Sequence, residues 1–167
     1  ANNMAIEIYS DAANPSTHNS MEAYASRGSI VTPTVVNPDD IIFSYSNYGY
    51  DGAQYRLSSV ISASVDPDAT VSSGVVPGQL IIATTPDNGS TLKFVVLDKD
   101  GNFGINVTNP TKKLEVNGNG EFASEVLLGR MDQTAINGLT AANGMIVYNT
   151  TTNKFQGYEN GAWSNLI

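Results

Sequence analysis

The chain of 167 residues has no cysteine, one histidine, one tryptophan and half as many basic residues (8) as acidic ones (16). Without cysteine, disulfides and thiolate metal sites are excluded. His18 alone, in the polar run NPSTHNS with no GxSxG nearby, gives little support to Ser-His-Asp or Cys-His catalysis and reads as a solvated loop residue. No run of about 18 apolar residues occurs, and the first residues, ANNMAIEIYSD, lack the basic and apolar regions of a signal peptide, so a soluble protein without membrane insertion is expected. Large apolar residues are sparse as well. Leu, Ile, Val and Phe make up 40 of 167 positions, or 24%, just above the roughly 20% below which chains tend to be disordered. Such a core is thin for a monomer, and part of the burial is expected to come from other copies of the chain.

Positive charge is scarcest in the first part. Residues 1 to 92 hold nine acids against two bases, Arg27 and Arg56, whereas residues 93 to 167 hold seven acids and six bases. With a net charge of −8, the chain repels nucleic acid and anionic membranes, which are not expected partners.

What is abundant points to strands and turns. Val and Ile number 26 against 9 Leu, and Asn, Ser and Thr together number 48, a composition suited to half-buried pleated strands joined by tight turns. The expected fold class is mostly β. Strands are predicted at Met4–Tyr9, Met21–Ser26, Ile41–Tyr45, Gln54–Val65, Gln79–Thr84 and Leu92–Leu97, nearly all bounded by turn signals such as Asn37-Pro38-Asp39-Asp40, Asp51-Gly52, Pro77-Gly78 and Asp98-Lys99-Asp100-Gly101-Asn102. Strands so spaced read as an antiparallel sandwich-like or partly barrel-like head over residues 1–104. In Gln54–Val65 the odd positions Tyr55, Leu57, Ile61, Ala63 and Val65 form an apolar face and the even positions a polar one. Val60 is out of phase and marks a place where a neighbouring strand or chain covers the second face.

Residues 105–142 are punctuated by Gly and Asn and too narrow to form a core alone, so they read as a stalk built by several chains. A short helix is predicted over Asp132–Leu139, capped by Asp132. Residues 143–167 hold strands at Met145–Asn149, Lys154–Tyr158 and Ala162–Leu166, a small meander.

Four ordered blocks then carry a likeness: ASRGSIVTPTVVNPDDII, GYDGAQY, PGQLIIATTPDNGS and LDKDGNFGINVTNPTKKLEVNG, between Ala25 and Gly118. They resemble a module of the tail fibres and tailspikes of tailed bacteriophages, and GMIVYNTTTNKFQGYENGAWSNL resembles a second element common near the ends of such fibres. The family's usual GIGT turn is Gly104-Ile105-Asn106-Val107 here, with Asn106 as a residue that tolerates positive φ. The self-cleaving chaperone domain that often follows in such fibres is not evident. The resemblance implies a non-enzymatic, elongated homotrimer, a soluble component of the virion, in which the head is followed by an intertwined stalk. Its implied partners are further copies of itself, other virion tail proteins and a host surface polysaccharide or lipopolysaccharide; no cofactor and no metal is expected. Two other readings are a fragment of a polysaccharide-cleaving tailspike and a bacterial cell-surface adhesin module.

The cleaving reading needs two carboxylates about 5 to 10 Å apart. Asp39-Asp40 and Asp66-Pro67-Asp68 are its candidates, though each sits in a Pro-containing turn that favours Asp for its own sake. Asp98, Asp100 and Asn102 depart from a calcium loop because Gly101 falls at the fourth position, and a hairpin turn is expected. The candidate receptor-binding residues are aromatic. Tyr45, Tyr48, Tyr50 and Tyr55 fall within eleven residues beside Asp51, and tyrosines near amides and carboxylates suit sugar binding; the simpler reading has Tyr50 covering a turn and Tyr55 packing in phase with Leu57. Tyr158 and Trp163 form a second aromatic candidate at the tip, or pack the end of a trimer.

Overall fold

Consecutive strands joined by short turns lie side by side, and this rule builds most of the molecule. The computed structural model describes residues 23–29 and 31–166. In it β1 (Arg27–Gly28) pairs with β2 (Pro33–Thr34). β3 (Ile41–Tyr50), β4 (Tyr55–Val65), β5 (Gly78–Thr84), β6 (Lys93–Leu97), β7 (Phe103–Ile105) and β8 (Leu114–Val116) then form one six-stranded sheet in chain order. Pairing is antiparallel from β3 to β7 and parallel between β7 and β8, so residues 106–113 are a crossover.

The mostly β expectation holds. Within it β1 and β2 form a sheet of their own, and the strands from β3 onward form one six-stranded sheet in the part read as a sandwich-like or partly barrel-like head, because each turn returns the chain to the edge just laid down. β3 runs on to Tyr50, past the Tyr45 expected from sequence, since β4 pairs with it along that length. The predicted strand Met4–Tyr9, His18 and the first two residues of Met21–Ser26 lie outside the described residues; Ala23–Ser26 has no regular structure.

Register sorts the sheet into two faces. On one, Tyr45, Ile61, Ile82, Val95, Ile105 and Val116 stand in a cross-strand row, and Phe43, Ala63, Leu80, Leu97, Phe103 and Leu114 stand in the next. On the other, Ser62, Ile81, Val96 and Gly104 share a row. Burial does not follow the apolar face of β4 throughout: Val65 on that face has no exposed surface, but Ile61 is 42% exposed, while Ala83 and Val96 on the opposite face are 3% and 1% exposed. The crossover accounts for burial on that opposite face. A Cβ on Gly104 would meet the Val107 carbonyl oxygen at 2.5 Å and Pro110 Cγ at 3.4 Å, so residues 107–110 lie against that face. Val60 belongs to it as well, lining a groove of about 640 Å³ with Ile81, Phe94, Thr108 and Asn109.

The chain divides into two units, Ala1–Asn119 and Gly120–Ile167. The second holds β9 (Arg130–Met131), α1 (Gln133–Asn137), β10 (Ile146–Asn149), β11 (Lys154–Glu159) and β12 (Ala162–Asn165), in the sheet order β12-β11-β10-β9. The short helix forms where it was expected: Asp132 caps it, accepting a hydrogen bond from the Ala135 N–H at 2.8 Å. The meander forms too, and its last turn uses Asn160 (φ 51°) and Gly161 (φ 81°), the two consecutive positive φ angles that a tight hairpin requires. Ile136 and Val147 are its apolar centre. Beside them Asn149, with no exposed surface, donates to Gln133 Oε1 (2.8 Å) and Gln156 Oε1 (3.0 Å), while its own oxygen accepts from the Thr151 and Thr152 N–H groups (2.9 and 3.2 Å).

Candidate functional site

β3 and β4 outrun their neighbour. β5 pairs with β4 from Ser59 to Val65, and Thr85 prolongs the contact, its N–H donating to the Ser58 carbonyl (2.9 Å) and its hydroxyl to the Leu57 carbonyl (2.7 Å), so beyond Leu57 the two strands continue as a ribbon that ends in the turn Asp51–Gln54. A register shift between Asn47 and Tyr48 marks a bulge where the ribbon leaves the sheet.

Asp51 builds the turn. Its Oδ1 accepts from the Ala53 and Gln54 N–H groups at 2.8 and 2.7 Å, and its Oδ2 accepts from Arg56 Nε at 3.0 Å. The Gln54 N–H first, then the Ala53 N–H and Arg56, hold its carboxyl below the usual carboxylate range. Gly52 supplies a φ of 101° that a side chain would resist. Tyr50 and Tyr55 stand opposite each other in register, ring centroids 5.5 Å apart and planes tilted by 60°.

Of the residues singled out from sequence, the fold therefore gathers Tyr50, Asp51 and Tyr55 at the ribbon's end. Tyr48 is opposite Leu57 on the same ribbon. Tyr45 is placed elsewhere, opposite Ile61 in the apolar row, about 17 Å along the strand from Tyr50 at 3.3 Å per residue. Tyr48, Tyr50 and Tyr55 are 60%, 62% and 73% exposed, an open aromatic surface suited to shallow contact with a chain-like ligand. Arg56 completes the group. Sequence reasoning passed it over, although an acid and a base five residues apart across an Asp-Gly turn were a usable signal.

The second aromatic candidate is also a register pair. Tyr158 and Trp163 face each other across β11 and β12 with centroids 5.2 Å apart at 65°, both half-buried. Nearby in chain order, Tyr148 meets Phe155 edge to face at 5.1 Å, and the Arg130 guanidinium lies 5.8 Å from the Tyr148 ring.

Two of the four carboxylates of the cleaving reading, Asp40 and Asp66, are engaged in turns, and Asp68 accepts from Asn109 Nδ2 at 3.2 Å. Asp40 is bound by Arg27 and accepts from the Asn37 N–H at 2.8 Å. Asp66, 4% exposed, accepts from the Asp68 and Lys99 N–H groups. Asp98 closes the expected hairpin turn, accepting from the Asp100 and Asn102 N–H groups at 2.9 and 2.8 Å and from Asn102 Nδ2 at 3.0 Å. Partial burial works to raise its carboxyl, but the Asn102 bonds, the Asp100 N–H and the Lys99 charge together hold it below the usual range. Among the described residues no group of three or more His, Asp or Glu is placed to hold a metal ion, and no helix is long and apolar enough to cross a membrane.

No curated protein matches the chain. Residues 104–167, from within β7 to the end of the chain, match the family described as phage tail like trimerisation region, and this stretch is accordingly similar to a module of phage tail proteins.

Proposed function

We propose that the protein is a non-enzymatic structural component of a bacteriophage tail fibre, that it assembles as a homotrimer alongside other virion tail proteins, and that it takes part in attachment to a host surface polysaccharide or lipopolysaccharide. The match of residues 104–167 to a phage tail trimerisation region carries the reading. The thin apolar content supports it, because an interior completed by other copies needs fewer large side chains per chain. For attachment, the support is the projecting β3–β4 ribbon with Tyr48, Tyr50 and Tyr55 open to solvent, since binding residues concentrate on segments held out by a rigid scaffold.

Two measurements test it. Sedimentation equilibrium is expected to give three times the 17.7 kDa chain mass; a stable monomer at micromolar concentration overturns the trimer. On an array of bacterial surface glycans, Tyr48→Ala with Tyr50→Ala is expected to weaken binding about tenfold or more while the mass stays trimeric. Unchanged binding removes the tyrosines from the receptor contact.

A further inference from the structure

Among the described residues nothing in the fold of one chain accounts for the two apolar rows on the six-stranded sheet. They run from β3 to β8 with no charged residue, and their only polar atom is the Tyr45 hydroxyl. Five strand spacings make the surface about 24 Å wide. Ile82, Leu97 and Leu114 on it are 45%, 44% and 57% exposed, and a contiguous apolar surface of this kind marks an interaction site. On the opposite face the chain's own crossover packs against Gly104 and leaves a groove lined by Val60, Ile81 and Phe94.

We propose that these rows are where three copies of the chain meet, so that the trimer contact extends beyond residues 104–167, through β6, β5 and β4, to β3. The inference rests on the homotrimer reading and adds its location. Continuity is the first argument. Ile105, Leu114 and Val116 lie inside the stretch similar to a trimerisation region, and the same rows continue from them to Phe43 and Tyr45 without a polar interruption. Charge is the second. Each chain carries −8, so a contact surface without charges keeps like charges from being set directly against one another, and these rows are one. The next row, Asn47, Ser59, Thr84 and Lys93, is polar and ends it on one side.

Photo-crosslinking of the full-length protein reads the occupant directly. With p-benzoylphenylalanine in place of Tyr45 or, in a separate variant, Phe103, irradiation is expected to produce two-chain and three-chain bands on a denaturing gel. The same group in place of Ser44, on the opposite face, is expected to leave the single-chain band. Two positions are used so that one disturbed variant does not decide the outcome, and the mass of each is checked before irradiation. If a protein of trimeric mass links both positions only within its own chain, for example to residues 1–22, or links neither, the inference is overturned and the trimer stands. If the unsubstituted chain is monomeric, the trimer reading falls, and this one with it.

Discussion

Arg27 grips Asp40 with two parallel hydrogen bonds, Nε to Oδ2 and Nη2 to Oδ1, both 2.7 Å. The fork joins β1 to the turn that launches β3 and, with the Asn37 N–H second, holds the Asp40 carboxyl down to about 2. A carboxylate depressed in the folded state stabilises it fully above the unfolded pKa of about 4, and that contribution is lost as pH falls toward about 2. In a carboxyl-detected NMR titration, Arg27→Ala is expected to raise the Asp40 midpoint and move the loss to higher pH. An unmoved midpoint would assign the depression to the Asn37 N–H alone.

Asn106 occupies the left-handed region at φ 53°, its N–H donating to the Phe94 carbonyl (2.9 Å) and its Oδ1 accepting from the Phe94 N–H (3.2 Å). Valine there meets the backbone penalty of a β-branched residue and loses the side-chain acceptor, so Asn106→Val is expected to cost about 2 kcal/mol in urea unfolding. Asn106→Gly keeps the backbone geometry and loses only the acceptor, and should cost less than half of that.

Gly104 has no room for a methyl group, because the atom it would strike at 2.5 Å is a backbone oxygen of Val107 rather than a movable side chain. Gly104→Ala should lift the crossover off the sheet and destabilise the first unit by about 1–3 kcal/mol. Hydrogen exchange at Val96 and Phe94 would report the lifting; protection equal to that of the unsubstituted protein would contradict it.

Asn149 makes four hydrogen bonds from a site with no exposed surface. Asn149→Leu leaves the Gln156 carbonyl oxygen and the Thr151 and Thr152 N–H groups without their partner, at a cost of about 3 kcal/mol to the second unit. The near-isosteric Asn149→Asp keeps the acceptor for the two threonine N–H groups but sets a carboxylate against both glutamine oxygens. It should be destabilising at neutral pH and partly relieved in acid, when the carboxyl can donate.

Much of this architecture was legible in the residues. The turn dipeptides locate the hairpins, Asp132 announces the helix start, and Asn106 is a residue type that tolerates the positive φ it adopts. What alternation could not supply was the side on which cover lies. It states that Tyr55 to Val65 has an apolar face, but the segment that packs on the sheet, residues 107–110, chose the other one. That choice depends on a parallel β7–β8 pairing between strands of three residues, too short to carry a pattern of their own. The site divided along the same line. Tyr50, Asp51 and Tyr55 meet because a hairpin brings its ends together, which spacing alone predicts. Tyr45 parts from them because a strand separates residues as quickly as sequence does.

The side-chain amides of the second unit form a connected series: Asn165 and Asn149 on either side of Gln156, then Gln133, then Asn137. Not one of these five groups gains or loses a proton anywhere between strong acid and strong base. The bonds that join β12, β11, β10 and α1 are therefore indifferent to acidity, whereas the turns around Asp40, Asp51 and Asp98 are not. Acid should loosen residues 27–102 first and leave the closing meander standing, a built-in order of melting that exchange-rate measurements at successive pH values would display as two separate transitions.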